Sequence, residues 1–244
     1  MKKSKTRLFI NKSISKNLLI YIKNKQHHFL KNVLKVRNND WINIFDGISG
    51  EWESKVTSIN RDNTVLQVVK KIHSIKKSHD FWLIISPIKQ HRMNLAIQKA
   101  TELGVSRIIP CMTDYSNVRS LNLKNLKDNA IEAAEQSLRL DIPNIENSIK
   151  LDSLLSDWPE DRKLIYCYEK ANIDENIIDK LFKLKNSTSK WAVIIGPEGG
   201  FSEKENNLIC QNKYSIPVSL GKRVLRSDTA ITVSLFCIQQ ILYR

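Results

Sequence analysis

The chain has 244 residues, 41% of them hydrophobic, and 39 Lys and Arg against 25 Asp and Glu give it a formal net charge of +14. This is apolar material for one large or two small cores and excludes a disordered chain; the cationic excess reflects either a surface that meets polyanions or lysine favoured by an A/T-rich genome. No apolar run reaches the roughly 18 residues of a membrane span, and no apolar segment follows the lysine-rich start, so a cytoplasmic protein with no membrane partner is expected.

From Arg7 to about Ile72 the text is short and strand-like. Residues 41–45 run into the turn dipeptide Asp46-Gly47, residues 51–59 alternate, 60–63 turn again and 64–69 are β-branched and apolar, which predicts a meander forming a small barrel-like module. Ahead of it Phe29, Leu30, Val33, Leu34 and Val36 recur at helical spacing, with Lys31, Lys35 and Arg37 around the other side. That basic amphipathic helix or turn is either a solvated face over a core stripe or a surface that meets RNA. The run KKIHSIKKSHD at 70–80 is charged without a sustained apolar pattern and acts as a linker, dividing the chain into domains at 1–74 and 75–244.

Beyond the linker the rhythm changes. Residues 81–88 read as a buried strand, Met93, Ala96, Ile97, Ala100 and Leu103 form a helical stripe ended by Gly104, and 105–110 return as a strand. Strands at 164–168, 191–195 and 216–220 then alternate with helices at 174–184, from Ser202 and from Asp228. This alternation predicts an α/β domain with a mainly parallel sheet, in which ligands sit beyond the carboxyl ends of the strands.

Two glycine-centred stretches fall at that edge. IGPEGGFSEK, at 195–204, follows an apolar run and precedes Ser202, whose spacing to Glu205 is a Ser-x-x-Glu capping box. Gly196, Gly199 and Gly200 let backbone there approach a ligand closely, so a side chain at 199 is expected to abolish ligand binding. LGKRVLRSDTA, at 220–230, repeats the plan, with Ser227 or Asp228 as N-cap of the last helix. A third loop, Tyr168-Glu169-Lys170-Ala171, follows the strand that ends at Tyr168. Neither a Walker loop nor Gly-x-Gly-x-x-Gly is present, which argues against ATP and NAD. Cys111, Cys167, Cys210 and Cys237 are irregularly spaced and read as buried, reduced thiols, and the five histidines have no ligand spacing, so no metal is expected.

IGPEGGFSEKE, LGKRVLRSDTA, QKATELGV at 98–105 and EAAEQSLRLDIP at 132–143 resemble the RsmE-type 16S rRNA uridine-N3 methyltransferases of the SPOUT superfamily. The likeness runs from Arg7, in RLFI, through His28 and the FDG turn at 45–47, covering nearly the whole chain. It implies a SPOUT-type parallel sheet with a deep trefoil knot near the C-terminus, a PUA-like β-barrel at 1–74, S-adenosyl-L-methionine as cofactor, a homodimer, and 16S rRNA or the small ribosomal subunit as partner. The resemblance places the cofactor against Tyr168 and Glu169, against Ile195, Gly196, Pro197, Glu198, Gly199 and Gly200, and against Leu220, Gly221, Arg223, Val224, Leu225, Arg226, Thr229 and Ala230. One departure is visible: Asp228 stands where the family usually has Glu, and no base role is assigned to it.

Methyl transfer to a ring nitrogen is an in-line displacement, so positioning matters more than a nucleophilic side chain. Arg223 and Arg226 precede a helix N-terminus, where the macrodipole disfavours cations; they meet a phosphate or a flipped uracil, or they pair with Asp228. Arg7, His28, Lys31, Lys35, Arg37, Arg139 and Arg223 are the RNA-binding candidates, and Arg226, Arg7 and Glu135 the catalytic ones. The uridine N3 proton has two candidate destinations: water, with Arg226 stabilising the anion, or a carboxylate such as Glu135, which is otherwise part of a polar helix face. Two other functions remain open, a non-catalytic RNA-binding assembly factor and a methyltransferase of the same fold acting on tRNA ribose.

Overall fold

Two groups of apolar residues organise the chain into separate units, one comprising Met1–Lys77 and Ala134–Ile142, the other Ser78–Ala133 and Pro143–Arg244. The computed structural model describes residues 4–76, 78–116, 118, 120–172, 174–185, 187–188 and 190–243. A division at 74/75 misses the segment Ala134–Ile142, which returns to the first unit from far along the chain.

In the first unit, β1 (Arg7–Phe9), β2 (Leu19–Ile22), β3 (Trp41–Phe45), β4 (Glu51–Ile59) and β5 (Thr64–His73) form a five-stranded sheet in the order β1-β3-β4-β5-β2, with α1 (Asn24–His28) between β2 and β3 in the chain. Period-two alternation places Ile42 and Ile44 of β3, Val56 of β4 and Leu66 and Val68 of β5 in one core with Leu8, Ile22 and Leu30. Three register shifts irregularise the β4–β5 ladder. The expected barrel is not closed by hydrogen bonds: β1 and β2 are the two edges, and no ladder joins them among the described residues. The Asp46-Gly47 turn forms as the sequence requires, with Gly47 at φ 78° and the Asp46 carboxylate accepting from the N–H groups of Ile14, Ile48 and Ser49.

The predicted helical stripe at 29–36 is only partly realised. α1 continues into a π turn over Phe29–Val33, closed by Leu34 N–H donating to the Phe29 carbonyl. Widening the turn keeps Leu30 buried but rotates Val33 outward, where it is 59% exposed.

The second unit contains β6 (Phe81–Ile85), α2 (Gln90–Glu102), β7 (Arg107–Met112), α3 (Leu123–Gln136, whose last turn belongs to the first unit), β8 (Asn144–Ile145), β9 (Ile149–Lys150), α4 (Leu151–Ser156), β10 (Arg162–Cys167), α5 (Ile177–Leu184), β11 (Lys190–Ile195), α6 (Glu203–Gln211), β12 (Ser215–Val218) and α7 (Ser227–Leu242). The strands run parallel in the order β12-β10-β11-β6-β7-β8, with β9 paired further along β7. Leu83–Ile85, Leu164–Tyr166 and Trp191–Ile195 are buried throughout, the composition of strands covered on both faces. β11 enters between β6 and β10 although both precede it in the chain. On one side α7 packs against both α2 and α5.

Candidate functional site

The strand order brings three loops together. β10 lies between β11 and β12 and all three run the same way, so the loops after Cys167, Ile195 and Val218 leave one edge of the sheet side by side. Tyr168 N–H donates to the Val218 carbonyl at 3.0 Å, and Ser86 N–H, from the loop after β6, donates to the Ile195 carbonyl at 3.1 Å. The two glycine turns are joined directly: Ser227 Oγ donates to the Gly196 carbonyl at 2.9 Å.

That bond corrects the expected cap of the last helix. Arg226 occupies the N-cap position of α7 without a side-chain cap bond, because the Ser227 hydroxyl is turned to the other loop. The cap of α6, by contrast, forms as its sequence specifies, with Ser202 and Glu205 bonding reciprocally.

The glycines divide into two kinds. A Cβ on Gly196 would lie 2.8 Å from the Phe201 ring, and one on Gly199 would lie 3.3 Å from Cβ of Tyr115. These two make room for aromatic residues of the chain itself, Phe201 beside Gly196 and Tyr115 beside Gly199. Gly200, at φ 70°, and Gly221, at φ 116°, have no neighbouring atom of the described residues within 4 Å of a Cβ position; they combine left-handed backbone with open space. Around them Tyr166 and Tyr168 stack at 5.1 Å and Phe201 meets Tyr166 edge-on at 5.6 Å. Tyr166 donates its hydroxyl to Asn206, which donates in turn to the Phe201 carbonyl and holds the first turn closed.

Charged groups around this edge are arranged as follows. Glu198 is paired with Arg92 of α2 at 3.2 Å, a partner that no local spacing announces. Arg223 and Arg226 are exposed, and among the described residues no ion pair joins either to Asp228. Asp228 keeps one carboxylate oxygen, Oδ1, buried without a hydrogen-bond partner among the described residues. Glu169, Val224 and Thr229 are exposed, Leu220 and Leu225 partly so, while Ile195, Pro197 and Ala230 are buried beneath the loops.

The other candidates lie elsewhere, in the first unit. Arg7 is 9% exposed; its Nε donates to Glu51 at 2.8 Å, and its terminal nitrogens donate to the carbonyls of Ala134, Glu135 and Arg139. Three of its hydrogen bonds tie Ala134–Ile142 to the sheet and a fourth goes to Glu51, so the side chain is held in a structural cluster rather than offered to a phosphate. The Glu135 carboxylate accepts from Phe9 N–H at 2.8 Å, and Arg139 is paired with Asp141 at 2.8 Å with its side chain buried. Both are members of the same cluster, so Glu135, the alternative proton acceptor, and Arg139, an RNA-binding candidate, are engaged in bonds within the first unit. His28, Lys35 and Arg37 are exposed, and Lys31 Nζ donates to the Asn60 carbonyl at 3.0 Å.

Burial raises the Cys111 thiol to about 12, with Glu205 adding to the effect, and burial raises Cys167 to about 12 as well. Neither is a nucleophile at neutral pH. The cysteines are free, but only Cys111 is buried from solvent; Cys167 and Cys237 are partly exposed and Cys210 is exposed. Among the described residues no group of His, Cys, Asp or Glu is arranged to hold a metal ion, and no helix is long and apolar enough to cross a membrane.

The profile of the RNA methyltransferase domain matches residues 76–239, a span that contains all three loops, and that of the RNA methyltransferase PUA domain matches residues 22–69. The chain belongs to the RNA methyltransferase family. The methyltransferase is 32% identical over 225 residues to the ribosomal RNA small subunit methyltransferase E of Rickettsia conorii, covering 92% of this chain and 91% of that protein. Its counterpart from Buchnera aphidicola is 28% identical over 254 residues, covering 98% and 97%. Among solved structures, the ribosomal RNA small subunit methyltransferase E of Neisseria gonorrhoeae bound to S-adenosyl methionine superposes with a TM-score of 0.85 at 26% identity, over 96% of this chain and 97% of that one.

Proposed function

We propose that the chain transfers the methyl group of S-adenosyl-L-methionine to N3 of a uridine in 16S rRNA. The observation that carries the reading is the junction of the two glycine turns by the Ser227–Gly196 bond, within a chain whose relatives are small-subunit rRNA methyltransferases. The residues present fit the cofactor. Gly200 and Gly221 offer left-handed backbone beside open space, and the orphaned Oδ1 of Asp228 is an acceptor suited to the amino groups or positive charge of the donor.

The cofactor supplies a methyl group activated by a sulfonium. The chain's part is to hold that group and the uracil in line, through the backbone of Gly196–Gly200 and of residues 220–226 and through the Tyr168 loop. Arg226 stabilises the N3 anion while solvent takes the proton, Glu135 being engaged with Phe9. Arg223 meets an RNA phosphate, and the first unit adds His28, Lys31, Lys35 and Arg37 as a PUA-type RNA grip.

The late insertion of β11 between β6 and β10 supports a C-terminal trefoil knot, and the exposed Leu95, Ile178, Phe182 and Phe236 on α2, α5 and α7 support a homodimer through that side. A ribosome-modifying enzyme acts in the cytoplasm. The test is nucleoside mass spectrometry of small-subunit rRNA after incubation with the protein and cofactor, starting from particles that lack the modification. N3-methyluridine is expected; ribose methylation, or binding with no product, replaces this reading with one of the two alternatives.

A further inference from the structure

We propose that Tyr115 is a stacking platform for an unpaired base of the RNA substrate, a role that rests on the RNA-methylation reading above. The other aromatic rings near the two glycine turns, Tyr166, Tyr168 and Phe201, are occupied with one another. Among the described residues Tyr115 shares no such ring contact: its side chain is 51% exposed, just past the carboxyl end of β7.

Exposed as it is, the ring is seated. Its Cβ would be 3.3 Å from a side chain at Gly199, so the absence of one there is what lets the tyrosine settle on the glycine turn. Its loop is fixed on both sides. Ser202 Oγ donates to the Asp114 carboxylate at 2.6 Å, Asp114 N–H donates to Glu205 at 2.8 Å, and Thr113 Oγ1 donates to Ser86 Oγ at 3.2 Å. The loop is thereby fastened to the capping box of α6 and to the loop after β6.

A tyrosine on a loop anchored this way costs less backbone entropy to hold against a second ring than one on an unanchored loop. The chemistry supplies the second ring. N3 of uridine lies on the pairing edge, so a base must leave its helix to be methylated, and unstacked bases of RNA are held by aromatic side chains. A tyrosine hydroxyl at the outer edge of the ring tolerates the solvent that surrounds such a base.

The test compares the wild type with Tyr115→Ala and Tyr115→Phe, using small ribosomal subunits that lack the modification as substrate and calorimetry for S-adenosyl-L-methionine. Tyr115→Ala is expected to raise KM for the RNA about tenfold while cofactor affinity stays within about twofold, and Tyr115→Phe is expected to restore KM. A 5-iodouridine-substituted rRNA fragment should crosslink to Tyr115. An unchanged KM in Tyr115→Ala overturns the proposal. So does a loss of cofactor affinity in parallel with KM that Phe fails to restore, which would make the ring a prop for the glycine turn. A wild-type protein that binds cofactor but methylates no rRNA refutes the underlying function instead, and is read separately.

Discussion

The Ser227 hydroxyl reaches across 31 positions of sequence to donate to the Gly196 carbonyl at 2.9 Å. One side chain therefore sets the distance between the loop after β11 and the first turn of α7. Both loops owe their adjacency to the sheet, in which β10 alone separates their strands. The bond fixes their registry, and a ligand held by both backbones depends on it.

Ser227→Ala should consequently weaken S-adenosyl-L-methionine binding several-fold and lower the unfolding free energy by about 1 kcal/mol, the loss of one intramolecular hydrogen bond. Calorimetry and a denaturant titration measure the two effects. Equal cofactor affinity in the variant would show that the loops are placed without this bond.

At Gly196 the expected failure is different in kind. Gly196→Ala puts a methyl 2.8 Å from the Phe201 ring, and the ring must move, disturbing its edge contact with Tyr166. A destabilisation of about 1–3 kcal/mol is expected, as for other overpacked sites, and is read by thermal melting. Gly199→Ala should instead displace Tyr115 and act on the RNA side of the reaction.

Arg7 and Arg223 should separate cleanly in RNA binding. Arg223→Ala is expected to reduce the salt slope of RNA affinity by about one unit if the side chain neutralises a phosphate. Arg7→Ala should leave the slope unchanged and instead destabilise the first unit by about 3–5 kcal/mol, since it removes the guanidinium paired with the buried Glu51 carboxylate, which keeps only His73 and Asn43, and takes the Arg7 donors from three carbonyls. A flattened slope in Arg7→Ala would reverse the assignment.

The ion pair of Arg7 with Glu51 predicts a pH dependence. Burial acts to raise the Glu51 carboxyl, but hydrogen bonds from Arg7, His73 and Asn43 outweigh it and hold the group below its ordinary value of 4.5. A carboxyl depressed in the folded state contributes stability that is complete above its ordinary value and is lost as the pH falls through the lower, folded one. Wild-type melting should thus decline in acid below that value. Glu51→Gln should melt lower at neutral pH and show a shallower acid decline; identical profiles would remove Glu51 as the cause.

Much of this architecture was legible where the signal is local. Strand β11 is a continuous buried run, and the Ser202–Glu205 box capped α6 as its spacing implied. The misreadings involve partners distant in sequence. Ser227 looked like an N-cap because capping is the nearest use for its hydroxyl, yet the Gly196 carbonyl competes for it successfully. Arg7 looked like a surface cation because Glu51 and the carbonyls of Ala134–Arg139 lie 44 to 132 residues away. The glycines at 196 and 199 announced close approach without saying that Phe201 and Tyr115 are what approaches. The pairing of Glu198 with Arg92, 106 residues apart, was hidden for the same reason.

The most direct measurement is a calorimetric titration of S-adenosyl-L-methionine into the wild type and into Gly221→Val, whose φ of 116° and open surroundings make it the position where a side chain disturbs the cradle while meeting no packed neighbour. The wild type is predicted to bind without RNA in the micromolar range, and Gly221→Val to lose binding while keeping a cooperative melt. Equal affinity in the two proteins, or no binding by the wild type, would contradict the claim that the paired glycine turns hold the methyl donor.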